Sequence, residues 1–139
     1  MNYLLPAQTL LDLCDEQPNA VRAWAAGIDT ARLRVSVVSI AEAQAAVGTV
    51  ADSPMRLRLD ANLSFLLANL EADAGEPLAF DRGAASVWQA LIHDATLDGL
   101  GATDRQVYAT ALHEGLVVVE EAGPHTAALR ALGVRIELP

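Results

Sequence analysis

The sequence predicts an α/β protein in which helices cover both faces of a central parallel sheet of about five strands, a three-layer α/β/α arrangement. Short runs of β-branched and apolar residues alternate with longer segments of helical periodicity. Hydrophobic residues make up 53% of the 139 residues, which excludes a disordered chain. Because no repeat or linker interrupts the pattern, we expect residues 1–139 to form a single domain.

The strand candidates are short apolar runs that lie between helical segments. They are Asn2–Leu5, Leu33–Val38, Pro77–Phe80, Leu116–Val119 and Val134–Leu138. Alternation of such runs with helices favours parallel strands whose helices lie on both faces of the sheet.

Residues that cap helices predict where the helices begin. The predicted caps are Asn19, Ser39, Ser53, Asp81, and either Thr103 or Asp104. Glu42 follows Ser39 at the spacing of a capping box, and Pro54 follows Ser53 as a first-turn proline. Both residues therefore favour helix starts at these two places.

The charge balance limits the possible functions. The net charge is −9, and all nine basic residues are arginine. A dedicated nucleic-acid binder that works by bulk electrostatics needs clustered positive charge, so this class is disfavoured. A nuclease stays possible, because its acidic pocket binds metal first. Any protein partner is expected to present basic residues.

The sequence predicts neither a membrane segment nor a disulfide. No uncharged apolar run is long enough to span a bilayer, and the N-terminus lacks the basic region of a signal peptide. We therefore expect a cytoplasmic location. Cys14 is the single cysteine, and its apolar surroundings predict a small buried side chain.

Acidic residues are predicted to gather at the carboxyl edge of the sheet, where ligands bind in open parallel sheets. Glu42 follows the second strand, Asp104 begins the helix before the fourth, and Glu120 and Glu121 follow the fourth. Converging carboxylates repel one another unless a cation lies among them, and oxygen ligands favour Mg²⁺ or Mn²⁺. No motif for an organic cofactor, a zinc ion or a catalytic serine is present.

Four segments, in order along the chain, resemble the motifs of one known family. They are Met1–Leu5 followed by Thr9–Leu13, Ser36–Glu42, Leu78–Asp81 with Ala85 after it, and Asp104–Leu116. The last begins Asp-Arg-Gln-Val-Tyr-Ala-Thr-Ala and is similar to the Asp-x-x-Ile-Ala-Ala-Thr-Ala segment of PIN-domain ribonucleases, the family of VapC-type toxins. The resemblance implies a PIN-like fold, a toxin–antitoxin setting and a Mg²⁺-dependent RNA endonuclease, which hydrolyses phosphodiesters.

The sequence departs from the family at two positions of the acidic site. The first aspartate of the family falls at Pro6, and its last acidic position falls near Ala122 or Gly123. Asp12 cannot replace the first, because it lies about 9 Å further along the helix axis and on another face. We therefore expect an eroded site that binds Mg²⁺ or Mn²⁺ only weakly.

The resemblance gives roles to four carboxylates. The expected catalytic residues are Glu42, Asp104 and Glu121, and the expected metal ligands are Glu42, Asp104, Glu120 and Glu121. The alternative readings are structural: Glu42 as a capping-box residue, Asp104 as a helix-start acid, and Glu120 and Glu121 as solvated loop charges.

Three functions remain open from the sequence. The first is a VapC-type PIN protein with weak or no ribonuclease activity. The second is an active Mg²⁺-dependent RNA endonuclease toxin, which alone would bind RNA. The third is a binding module that accepts a basic, antitoxin-like peptide whose arginine pairs with Glu42 and Asp104.

The longest predicted helix also suggests self-association. Its core stripe repeats at three and four residues, at Leu59, Leu63, Leu66 and Leu70. Met55, Leu57 and Phe65 extend the apolar surface beyond this stripe. PIN-type toxins commonly pair through helices of this region, so the resemblance implies a homodimer.

Overall fold

Four parallel strands in the order β2-β1-β3-β4 form the centre of the structure, a computed structural model that describes residues 1–139. The strands are β1 Tyr3–Leu4, β2 Leu33–Arg34, β3 Val117–Val119 and β4 Ile136–Glu137. The helices are α1 Ala7–Cys14, α2 Ala20–Ala25, α3 Val37–Gly48, α4 Ser53–Ala74, α5 Arg82–Ile92, α6 Ala102–Glu114 and α7 Thr126–Ala131. The predicted α/β class and parallel sheet are confirmed.

The prediction of about five strands was wrong by one. In the third candidate, Pro77–Phe80, a single residue joins the sheet: Leu78 forms an isolated parallel bridge with Ser36. Its amide donates to the Val35 carbonyl, and its carbonyl accepts from the Val37 amide. The pairing does not continue, because the segment that contains Ser36 enters α3 at Val37 and offers no further strand residues.

The same turn corrects the predicted end of the second strand and the cap of α3. Ser36 caps α3, since its Oγ accepts a hydrogen bond from the Ser39 amide at 3.0 Å. Val37 and Val38 favour strand by propensity, but this cap places them in the first helical turn. Ser39 is therefore the capped residue, and Glu42 is not part of a capping box.

Two further predicted caps were displaced and two were correct. Asp52 caps α4 in place of Ser53, and Gly101 precedes α6 in place of Thr103 or Asp104. In both cases the helix begins earlier than predicted, at Ser53 and at Ala102, which leaves Asp104 inside the first turn of α6. Asn19 and Asp81 cap α2 and α5 as predicted, each accepting a hydrogen bond from a backbone amide.

Alternation along the strands divides the core into two clusters, one on each face of the sheet. Tyr3, Leu5 and Val119 face the cluster completed by α1, α3 and α4. Leu4 and Val118 face the cluster completed by α5, α6 and α7. This sheet between two helical layers confirms the predicted three-layer arrangement. Cys14 is buried as predicted, and burial raises the pKa of its thiol to about 11.

The surface of α4 keeps the apolar residues that the sequence pointed to. Leu57 and Phe65 are 67% and 71% exposed, and Met55 is also exposed. Among the helices, none combines the length and hydrophobicity that crossing a bilayer requires.

A buried arginine holds the connection between α5 and α6. The Arg105 side chain is only 8% exposed, and its guanidinium donates to four backbone carbonyl groups. The acceptors are Leu91, Ile92, Leu97 and Leu100. The first two are carbonyls of the last turn of α5, which have no partner within the helix. Arg105 therefore fixes the end of α5 and the loop that leads to Asp104.

Replacing Arg105 should destabilise the fold strongly. Arg105→Met leaves the partly buried Ile92 and Leu100 carbonyls without a donor and removes four hydrogen bonds in all. We therefore expect a loss of at least about 3 kcal/mol in the free energy of unfolding, measured by urea denaturation. Arg58→Met is the matched control, because Arg58 makes an exposed ion pair with Glu16 at 3.8 Å. That control should change stability by about 0.5 kcal/mol or less; equal losses in both variants would contradict the role of Arg105.

Candidate functional site at the carboxyl edge of the sheet

Three of the four predicted carboxylates line one cavity of about 280 Å³, which we term the acidic pocket. Its lining residues are Pro6, Ala7, Gln8, Leu11, Glu42, Ala46, Asp104, Val107, Tyr108 and Glu120. Glu42 comes from α3, Asp104 from α6 and Glu120 from the residue after β3. The carboxyl edge therefore brings these three acids together from separate elements, as the sheet topology requires.

Pro6 and Ala7, directly after β1, line this pocket with carbon rather than with side-chain oxygen. Pro6 is the N-cap of α1 and makes no side-chain hydrogen bond, and Ala7 follows with a methyl group. The start of α1 is held in place by Thr9, whose buried hydroxyl donates to the Val119 carbonyl at 2.6 Å. Gln8 is exposed, and its amide donates to Asp12 at 3.0 Å.

Glu42 and Asp104 interact electrostatically across the pocket. The pKa of the half-buried Glu42 is raised, first by burial and then by the negative charge of Asp104, while the Thr103 hydroxyl opposes the rise. Neither carboxylate forms a salt bridge. The pair is thus a concentration of negative charge that no cationic side chain of this protein neutralises.

Glu120 differs from these two because it has a hydrogen-bond donor of its own. The Tyr108 hydroxyl lies 2.7 Å from Oε1 and 2.8 Å from Oε2 of Glu120, and its single proton can be donated to either. Burial raises the pKa of Glu120, the Tyr108 hydrogen bond lowers it, and the Asp104 charge raises it. Burial and the Glu120 charge raise the pKa of Tyr108, so the hydroxyl keeps its proton.

Glu121 is exposed and lies outside the acidic pocket. It lines a neighbouring cavity of about 190 Å³ together with His125. The imidazole Nε2 of His125 lies 2.7 Å from the Asp98 carbonyl oxygen. Tyr108 and Glu120 line both cavities, so these two side chains form the wall between them.

Sequence reasoning missed Tyr108. The residue stands where the Asp-x-x-Ile-Ala-Ala-Thr-Ala segment has its first alanine, so the departure was visible in the segment that we matched. Its importance became clear only from the position of its hydroxyl against Glu120.

The carboxylates of the acidic pocket are not the most tightly grouped potential metal ligands. Only Asp81, His113 and Glu114 each offer a ligand atom such that all lie within 4.8 Å of one another. These exposed residues lie at the opposite end of α6 from Asp104, about 14 Å along the helix axis. The cap that Asp81 makes and its 3.7 Å approach to His113 explain this grouping without an ion.

A second cavity, of about 260 Å³, continues from the acidic pocket along α1. The two cavities share Gln8, Leu11 and Ala46. The second runs between α1, α3 and α4 to Met55 and Leu59, and Asp12 and Asp15 lie along it. We term this apolar surface with an acidic border the α1 groove.

The chain belongs to the PIN domain family, whose sequence profile matches residues 3–128. FitAcB from Neisseria gonorrhoeae has a similar structure, with 24% identity, a TM-score of 0.78, and 96% of this chain and 95% of that one covered. The structure of VapBC2 from Rickettsia felis, bound to a DNA fragment from its promoter, is also similar. It shares 17% identity at a TM-score of 0.77, and 100% of this chain and 99% of that one are covered.

A third similar structure is VapBC-5 from Mycobacterium tuberculosis, a member of the VapBC family of toxin–antitoxin systems. It shares 23% identity at a TM-score of 0.68, and 99% of this chain and 96% of that one are covered. No curated protein matches the sequence. These likenesses establish a shared fold.

Neutralising Glu42 should stabilise the protein near neutral pH. A raised pKa in the folded state means that the folded chain binds this proton more tightly than the unfolded chain. Stability therefore falls as pH rises from the ordinary carboxyl range through the raised value. We expect Glu42→Gln to raise the melting temperature by on the order of 1–3 °C at about pH 7 and by much less at about pH 4.

The matched control for this experiment is Glu71→Gln, on the exposed surface of α4. Melting followed by circular dichroism should show no comparable pH-dependent gain in the control. A Glu42→Gln variant that melts below the native chain at neutral pH would show that Glu42 stabilises the fold rather than straining it.

Proposed function

We propose that this chain is a single PIN-like domain over residues 1–139, of VapC toxin type, whose eroded metal site leaves it weak or inactive as a ribonuclease. The observation that supports this most directly is the composition of the acidic pocket. Pro6 stands where the family has its first aspartate and offers no side-chain oxygen, and the Glu120 carboxylate accepts a hydrogen bond from the Tyr108 hydroxyl. A cytoplasmic location is part of the proposal.

The donor set does not fit a resident Mg²⁺ ion. Mg²⁺ requires near-ideal octahedral oxygen geometry and gives up its water reluctantly. Glu42 and Asp104 are the two carboxylates in the pocket without a side-chain donor of comparable strength, and the oxygens of the three acids do not lie as one compact group. We therefore derive no metal-dependent step for this chain and expect millimolar or weaker affinity for Mg²⁺ or Mn²⁺.

One observation favours an active ribonuclease as the second candidate. Glu120 lies in the same pocket as Glu42 and Asp104, so three acids converge. If an RNA phosphate supplied the missing oxygens, a divalent cation could enter together with the substrate. In this candidate RNA is the substrate, and Asp104 is indispensable.

The α1 groove supports a third candidate, a binding site for a basic, antitoxin-like protein. VapBC-5 is described as a toxin–antitoxin system and has a similar structure. An apolar segment of a partner would lie against Leu11, Met55 and Leu59, while its arginine would reach Glu42 and Asp104 as a charge-assisted pair. This binding does not need a metal, so it is compatible with the eroded site.

Expression of the native chain beside an Asp104→Asn variant separates the eroded site from the working nuclease. For the eroded site we expect equal growth of both cultures and no difference in RNA cleavage by the purified proteins in Mg²⁺ or Mn²⁺. Glu114→Gln, at the far end of the same helix, is the control. Growth arrest and RNA cleavage that Asp104→Asn abolishes and Glu114→Gln retains would establish the nuclease and refute the proposal.

A homodimer through the exposed face of α4 is also part of the proposal. Phe65 is 71% exposed on this helix, which also carries the exposed Met55 and Leu57. Phe65→Glu should convert the dimer to a monomer in sedimentation-velocity experiments, because a buried unpaired carboxylate opposes association. Ser64→Glu adds the same charge at the neighbouring exposed position and should leave the dimer intact. A native chain that sediments as a monomer would exclude the proposed homodimer.

A further inference from the structure

We infer that Tyr108 is the positioning residue that keeps this pocket free of metal, because its hydroxyl takes the place of a cation as the partner of Glu120. The inference rests on the proposed eroded site and names the side chain that opposes cation binding there. It concerns a contact inside the pocket and therefore differs from the loss of oxygen at Pro6.

The first support is the position of the residue in the sequence. Tyr108 follows Asp104 by one helical turn and replaces the first alanine of the segment that resembles the family. An alanine side chain ends at Cβ, whereas tyrosine adds a ring and a hydroxyl on the same face as Asp104. The substitution therefore places a large donor group beside the acids.

The second support is geometric. Tyr108 is only 7% exposed, yet its hydroxyl meets both oxygens of Glu120, at 2.7 and 2.8 Å. The side chain also lines both the acidic pocket and the neighbouring cavity. The side chain thus lies between the two spaces.

The third support is chemical. The hydroxyl oxygen lies almost equally close to both oxygens of Glu120, so it occupies the position in which both oxygens would hold a cation. A cation in that position would have to displace a hydrogen bond from a buried neutral donor to a carboxylate, which is a strong type of hydrogen bond. Pro6, which also lines the pocket, offers no side-chain oxygen that would compensate for this loss. Glu42 and Asp104 are then the only acids left to strip water from the ion.

Packing alone does not account for the hydroxyl. Tyr108 belongs to the hydrophobic cluster between the sheet and α6, and a phenylalanine would fill that space equally well. Tyr108→Phe therefore removes the donor while it keeps the ring and the fold. Tyr3→Phe is the matched control, because Tyr3 is a buried tyrosine whose hydroxyl accepts from Arg32 at 3.4 Å, outside the acidic pocket.

The experiment measures Mn²⁺ binding to the full chain by calorimetry, with the electron paramagnetic resonance signal of free Mn²⁺ as a second readout. We expect Tyr108→Phe to bind Mn²⁺ about tenfold more tightly than the native chain or more, which corresponds to about 1.4 kcal/mol, and Tyr3→Phe to bind like the native chain. Adding Glu120→Gln to Tyr108→Phe should remove the gain. Native-like melting of both tyrosine variants verifies the fold.

The outcomes distinguish this inference from the proposed function. Micromolar Mn²⁺ binding by the native chain would refute both, since the site would already accept a cation. Weak binding by the native chain and equally weak binding by Tyr108→Phe would refute the role of Tyr108 and leave the eroded site standing. A gain in Tyr108→Phe that persists after Glu120→Gln would also refute it, because the freed ligand would not be Glu120.

Discussion

The parallel pairing of β1 with β3 at the centre of the sheet is the constraint on which the site depends. Tyr3 pairs with Val117 and Leu4 with Val118, so both strands end at the same edge. The Thr9 hydroxyl extends this pairing beyond the strands by its bond to the Val119 carbonyl. The residues that follow the two strands must therefore lie side by side, and here Pro6 and Glu120 line the same pocket.

On the other face of the sheet, Arg105 fixes the helix that carries Asp104. Arg105 follows Asp104 directly, and its guanidinium donates hydrogen bonds to carbonyl groups of the preceding loop and of α5. The position of the Asp104 carboxylate is thus coupled to a buried network rather than to a flexible loop. The hydrogen bond from Thr9 and the four from Arg105 thus fix α1 and α6, two of the elements that line the same pocket.

The alternation of strands and helices was sufficient to predict the fold class and the edge at which acids gather. It was not sufficient for local boundaries, because the caps at Ser36 and Asp52 outweighed the β-propensity of Val37 and the attractive Ser53-Pro54 pair. The sequence contained enough information to predict that Glu120, rather than Glu121, lines the acidic pocket. Successive residues of a strand face opposite sides, so Glu120 continues the side of Val118, where α6 lies.

Gly83 of α5 lies against the ring of His113, at the C-terminal end of α6. A Cβ at Gly83 would overlap the imidazole ring of His113, so the ring occupies the volume that any other residue's side chain would need. Alanine at this position would force the imidazole ring to shift from its place beside Asp81. The cluster of ligand-type atoms at that end therefore depends on how closely α5 and α6 approach, and the addition of one methyl group would disturb it.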